Sequence, residues 1–309
     1  MKGSNCLTLV LSLSSLCLVH AQITSGGVPA SQAAGLLGSA ADDGDRVGTV
    51  GEASSANRLG WLVLYDNFNS KRINPAKWDG TQNFDPDLRE ASRELEPRFD
   101  DGGHHRLRLM HRAYSSVADD NGSSGGLWGL SFPNPGAVTA VAFAVAVNEI
   151  AVTSCSSNPG IGVTAAEFRG NFFNTQSSPT SSIGDVLADV NVGRSVTDTG
   201  HGLTVAGFVN ECADQFCGAQ TNLAYQVLGE VNEGTTNILY LQWDRPNHQF
   251  IFRLNNESPV YEPYSVADST PPFFDQKSID LARVVAHCST TPRPFALLDA
   301  DFDNVYVNP

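Results

Sequence analysis

The 309-residue chain is poor in basic residues and in cysteine, and past its first ~20 positions it has no long apolar run. Its 19 Lys and Arg against 33 Asp and Glu leave a formal charge of −14. A chain that acidic lacks the basic footprint of a nucleic-acid binder and is repelled by anionic lipid. The charge is instead that of a protein kept soluble in an extracellular setting. Without a further apolar run of roughly 20 residues, nothing downstream is expected to insert into a membrane. No helical three-to-four periodicity is sustained, no repeat of fixed length occurs, and no HExxH, phosphate loop or Ser/His/Asp elbow is present.

What is there begins with MKGSNCLTLVLSLSSLCLVHA, one Lys, an apolar run and small residues, the pattern of a secretory leader cleaved near Ala21. The apolar run is too short for an anchor, and Leu16 before Cys17 is too bulky for a lipoprotein signal. Residues 22–58 are rich in Ala, Ser and Gly and lack aromatics. They are expected to form a flexible spacer, because they cannot bury enough apolar surface to offset ordering entropy. Residues 59–309 then form one domain.

Removal of the leader leaves Cys155, Cys212, Cys217 and Cys288, an even number suited to disulfides in an oxidising compartment. Three pairings are open. Proximity favours Cys212–Cys217, which leaves Cys155–Cys288 to close a long loop worth about 3–5 kcal/mol by chain entropy. A zinc site is the rival, but C-x4-C lacks the tight C-x2-C hook and no second pair follows.

From Gly60 the texture is β. In HRLRLMHRAY, Leu107 and Leu109 alternate with arginines; in VTAVAFAVAVNEIAV, large residues share one face and Ala the other. Such period-two alternation predicts strands. Further strands are expected at Val163–Asn174, Asp185–Arg194, Leu203–Cys212, Leu223–Val231, Ile238–Trp243, FIFRLNN, VVAHC and FALLDADFDNVYV. Many strands separated by turn signals imply an all-β fold, a two-sheet antiparallel sandwich or a closed barrel.

Three segments in order, LYDNFNSKRINPAKW, LQWDRPNHQFIFRLNN and LLDADFDNVYV, resemble the concanavalin A-like lectin/glucanase superfamily over roughly residues 60–309. The resemblance implies a jelly roll in which the first and last strands run side by side and Leu241–Asn256 is a late hairpin. It does not imply an activity, since one fold hosts many. Laminarinase-like members carry E-x-D-x-E on one strand, which no segment here supplies. EIAVT from Glu149 has one carboxylate, ECADQ the wrong parity, and DVLAD no glutamate. Lyase-like members use an Arg-x-Glu strand, a Gln-x-His strand and a Tyr/Lys strand. SRELEPR matches the first loosely, and the others are absent.

The best polar constellation lies elsewhere. In AAEFRGNFFN, Glu167, Arg169, Asn171 and Phe173 share a face against Phe168 and Phe172. In DVLADVNVGR, Asp185, Asp189 and Asn191 share one against Val186, Val190 and Val192. Two such strands can floor a groove, continued by Arg112 and Tyr114, with Trp128 as a flat ring for a sugar. An exposed Glu167–Arg169 ion pair worth about 0–1 kcal/mol explains the same residues without a ligand. If the chain is an enzyme, Glu167 and Asp189 are its acid and base candidates.

Other features read more plainly. Asp299, Asp301 and Asp303 share a face of the last strand, where a structural calcium ion or edge-strand charge accounts for them; no other cofactor is implied. His104 and His105 follow Asp100-Asp101-Gly102-Gly103 in a turn that could bind metal but reads as a solvated loop. His111 falls in the apolar register of its strand, as a hydrogen-bonded, semi-buried residue. Asn121 and Asn256 begin glycosylation sequons. The expected role is secreted, non-catalytic binding of a glycan or other surface polymer. The alternatives are a polysaccharide hydrolase or lyase with an unrecognised site and an extracellular structural protein without a ligand.

Overall fold

The computed structural model describes residues 61–82, 88–97, 104–198, 200 and 202–309. The leader, the spacer and the Asp100–Gly103 turn lie outside the described residues. Fifteen strands occur among the described residues: β1 Val63–Asp66, β2 Asp79–Gln82, β3 Leu88–Pro97, β4 His105–Tyr114, β5 Ser123–Ser131, β6 Ala140–Val152, β7 Gly162–Asn174, β8 Asp185–Ser195, β9 Leu203–Cys212, β10 Gln220–Val231, β11 Thr236–Asp244, β12 Gln249–Leu254, β13 Val260–Pro263, β14 Lys277–Ala286 and β15 Phe295–Val307. They form two antiparallel sheets, the sandwich expected. The first runs β13-β12-β11-β6-β15-β4-β3, with β1 also on β15; the second runs β10-β9-β8-β7-β14-β5-β2.

Both expected signatures of the jelly roll are present. Val63 pairs with Val307 and Leu64 with Tyr306, joining the first strand to the last. The late hairpin is β11–β12, with Leu241 opposite Phe252. The opening segment contributes more than β1. Asp66 accepts the Phe68 N–H at 3.0 Å and the Trp78 Nε1–H at 2.8 Å, and it fastens the turn to the core. Trp78 is buried between Phe68, Tyr65 and Phe132, with ring centroids 5.8, 5.2 and 4.7 Å away.

The core fills the space between the sheets because each strand turns alternate residues inward. From the first sheet come Leu107, Leu109, Phe143, Leu239, Phe250 and Phe302; from the second, Phe168, Val190, Val205, Ile279 and Leu281. Phe143 and Phe302 stack with centroids 5.9 Å apart. His111 takes an inward position and is wholly buried, more so than the semi-buried place expected. Burial, helped by Arg283, pushes its pKa down to about 3. The Thr164 hydroxyl donates to the Ala282 carbonyl at 3.0 Å, so it receives the proton of His111 Nε2 at 3.1 Å. The ring is therefore neutral, with its proton on Nε2.

Both disulfides pair as expected, Cys155–Cys288 and Cys212–Cys217. Asp120 reinforces the first by accepting from Ser157 Oγ, Ser289 N and Ser289 Oγ, which ties three loops together beside it.

The edge-strand reading of Asp299, Asp301 and Asp303 is corrected: β15 lies inside its sheet, with β6 on one flank and β4 and β1 on the other. Those acids face away from the core, and Asp299 and Asp301 meet arginines of β4. Arg108 Nε donates to Asp299 Oδ1 at 2.9 Å, and Arg106 pairs with Asp301 at 3.0 Å. The Asp303 carboxylate accepts the Asn304 N–H, at a residue with φ of 47° where the strand kinks. Among the described residues no cluster of three or more His, Cys, Asp or Glu has a geometry that could hold a metal ion.

Truncating Phe143 to Ala leaves a cavity on the axis of this core. The expected loss is about 3–5 kcal/mol of stability, read as a lowered denaturant midpoint with an unchanged slope.

Candidate functional site

The second sheet presents its polar face to the outside. β7 and β8 pair with Arg169 opposite Asp189 and Glu167 opposite Asn191, so the two polar runs do form one surface. Asn171 stands on the same face, opposite Leu187. Phe173 does not. A bulge between Asn171 and Phe173 shifts the register, so Phe172 and Phe173 both enter the core against Trp243 and Phe250.

The remaining candidates lie elsewhere. Trp128 is opposite Leu281, so it faces the inside of the sandwich. Its Nε1–H donates to the Ser92 carbonyl at 2.8 Å, and the Arg93 guanidinium covers its ring at 3.9 Å. Arg112 and Tyr114 are on the first sheet, in the register that faces away from the core, where Arg112 pairs with Glu90 at 3.9 Å and lies over the Tyr114 ring. Asp185 shares the outer register of β8, but it is spent on a loop. It accepts from the backbone N–H of Phe273 at 2.7 Å and of Phe274 at 3.0 Å, and from Asn174.

That loop borders a cleft of about 200 Å³. Arg169, Asn171, Leu187, Ser278 and Leu127 form its floor, and Phe216, Phe273 and Phe274 its walls. The three phenylalanines are 48%, 52% and 39% exposed, a concentration of unburied rings in one place. Each is held in position. Phe216 sits in the loop closed by Cys212–Cys217, whose backbone wraps Asp214: Phe216 N and Gly218 N donate to Oδ1 at 2.9 Å, Ala219 N to Oδ2 at 2.6 Å. Burial works against the Asp214 charge, yet these backbone donors hold its pKa below the usual carboxylate value. Phe273 and Phe274 follow Pro271-Pro272, are fixed by Asp185, and are tied to the floor by Asn171 Nδ2 donating to the Phe274 carbonyl at 2.5 Å.

Beside Arg169, on the same face, lies a cluster of which the sequence reading missed one member. Asp280 of β14 stands directly opposite Glu167, so three carboxyl groups (Glu167, Asp189 and Asp280) surround Arg169. All three are buried. Gly129 of β5 makes room for them, since a Cβ there would lie 2.3 Å from the Asp280 Cβ. Ser278 Oγ donates to Asp280 at 2.5 Å and Asn191 Nδ2 to Asp189 at 2.8 Å. Burial raises the pKa of all three. Asp189 reaches about 7 against the opposing pull of Arg169, and Glu167 is pushed well above its usual value by burial and by Asp280 and Asp189.

Two signals in the sequence mark what was missed. PPFFDQ places adjacent rings after two prolines, where a period-two strand can turn only one inward. A Phe inside the short ECADQFCG loop cannot reach the core at all. Asp280 leaves a weaker trace in SIDLARV, as one acid among apolar residues.

No protein-family model matches the chain, and no curated protein sequence matches it. Solved structures similar to it include a GlcNAcα1-4Gal-releasing endo-β-galactosidase from Clostridium perfringens, with 12% identity over 85% of this chain and 65% of that one and a TM-score of 0.37. The catalytic domain of an endo-1,3-β-glucanase (laminarinase) from Thermotoga petrophila has 13% identity over 80% and 98%, with a TM-score of 0.39. Winged bean acidic lectin, complexed with methyl-α-D-galactose, has 11% identity over 78% and 97%, with a TM-score of 0.28. These likenesses are too distant to carry an activity onto this chain.

The raised carboxyl pKa values give stability a definite pH dependence. Between the ordinary Asp value and about 7 the folded state holds the Asp189 proton that the unfolded chain gives up. Stability is therefore full below that range and falls as pH rises through it. Thermal melts should drop from pH 4 to pH 8, and Asp189→Asn should flatten the drop. A variant as pH-sensitive as the parent would contradict the assignment.

Proposed function

We propose that this is a secreted, non-catalytic glycan-binding protein that takes its ligand in the cleft over Arg169. The observation that carries this reading is the set of fixed, exposed rings of Phe216, Phe273 and Phe274 around a floor that offers Arg169 and Asn171 between two leucines. Pyranose C–H bonds are weakly positive and meet the negative face of an aromatic ring. Sugar hydroxyls meanwhile need side chains that donate and accept, which Asn171 and Gln276 supply beside the rings. Because both wall loops are already held, little ordering cost falls on binding. The two disulfides suit an oxidising compartment. Among the described residues no helix is long and apolar enough to cross a membrane.

One observation favours a hydrolase instead. Glu167 and Asp280 are direct cross-strand neighbours, which places their Cβ atoms about 4.5–5.5 Å apart. Their carboxyls share a hydrogen bond and so lie closer together than the about 5–5.5 Å of a retaining glycosidase, yet a protonated carboxyl beside a second one is what general acid catalysis requires. The weight against it is burial: both carboxyls are buried, and neither lines the cleft. A wall or a floor that cannot reach the glycosidic bond cannot catalyse its cleavage.

Immobilised oligosaccharides screened against the secreted protein should yield binding that Phe216→Ala and Phe273→Ala each weaken by about tenfold. No new reducing ends should appear on prolonged incubation. Release of reducing ends that Glu167→Gln abolishes would establish the hydrolase in place of the binder.

A further inference from the structure

Among the described residues Arg169 is the only charged side chain that lines the cleft, and it is a cation in a chain of formal charge −14. Its ion pair with Glu167 spans 3.8 Å, too long for a hydrogen bond, and its guanidinium donates no hydrogen bond to a described residue. A guanidinium carries five N–H donors, and groups at the floor of a cleft ordinarily find partners. With its side chain 21% exposed at the cleft, this guanidinium is open to a ligand that enters from solvent. On the wall side, Gln215 and Gln276 are neutral, and the Asp214 carboxylate is consumed by its own loop.

We infer that Arg169 recognises an acidic substituent, a carboxylate or a sulfate, on the bound sugar chain, and that the carboxyl groups beside it make this recognition tighten as pH falls. The inference rests on the glycan reading of the cleft and specifies its ligand class. A planar guanidinium matches either oxyanion in a two-pronged contact.

The groups facing Arg169 are few. On its own strand there is Glu167; on β8, Asp189 directly opposite, with Phe208 of β9 behind it; on β14, Ser278 directly opposite and Asp280 one pair further along. Glu211 of β9 is occupied by Thr175 Oγ1 at 2.7 Å. With all three carboxyls ionised, the quartet carries two net negative charges and repels an anion. As they take up protons, the guanidinium charge is uncovered step by step. A uronate, whose carboxyl titrates at roughly 3–4, or a sulfate keeps its charge throughout the interval, so the change belongs to the protein.

The test is calorimetric titration of the whole secreted protein with three oligosaccharides of equal length at about pH 8.5 and 5.5: a polyuronate, a sulfated galactan and a neutral glucan. At least one acidic ligand should gain about tenfold in affinity on acidification while the neutral one stays unchanged. The acidic ligand that responds identifies the substituent. Asp189→Asn should bind it tightly at both pH values, and Arg169→Gln should lose the preference for acid, with thermal melts confirming that both fold. Equal affinity for acidic and neutral chains, or a preference that survives Arg169→Gln, would overturn the inference and leave glycan binding standing. Failure of every sugar to bind would overturn both.

Discussion

The pairing of β15 with strands from the far end of the chain is the contact on which the rest of the structure depends. Its inner edge meets β6 from Ala296 to Val307, while its other edge meets first β4 and then β1. The last thirteen-residue strand thus closes a sheet whose other members are spread over more than two hundred residues. Closing a span that long costs loop entropy before any contact repays it. The repayment is concentrated in inward positions of the same strand: Leu298, Ala300, Phe302 and Val305 are fully buried. The outward acids Asp299 and Asp301 keep the opposite face in register through Arg106 and Arg108. A charged ladder in mid-sheet serves the same pairing as the apolar one behind it.

The second sheet uses the same alternation for a different end. Its inward residues belong to the common core, which frees the outward ones to be polar. On β7, β8 and β14 this produced three acids and one arginine within a few residues of each other across the strands. Burying three carboxyls would be prohibitive if all were charged. Raised pKa values relieve that cost, as protons replace counter-ions. The adjoining cleft inherits the result, because the one charge that its described residues display is governed by how many of those protons are present.

Much of the fold was legible in the amino-acid order. HRLRLMHRAY and FALLDADFDNVYV are strands over their full predicted lengths, and LTVAGFVNEC is another. The disulfide pairs followed from count and proximity. The site was legible only along each strand, where Glu167, Arg169, Asn171, Asp189 and Asn191 shared a face. Neighbours across strands were not. Asp280 lies more than ninety residues from Asp189, and nothing local reveals that β14 pairs with β7. The bulge that turned Phe173 inward broke the strict alternation on which its placement had relied. Trp128 had the right chemistry for a sugar platform, but pairing opposite Leu281 turned it toward the interior.

By itself the sequence determined the class, the two sheets' alternating faces, the disulfide framework and the absence of an E-x-D-x-E strand. Each of these is a property of composition or of spacing within one segment. Only the tertiary structure decided which faces meet. It assembled Phe216, Phe273 and Phe274 from two connections into one cleft, set Asp280 beside Glu167, and parted Arg112 and Tyr114 from the rest by the thickness of the core. The physical reason is that strand alternation has a period of two and no memory of partners. Which strand lies beside which is settled by the collective burial of the core, a sum over the whole chain that no single segment contains.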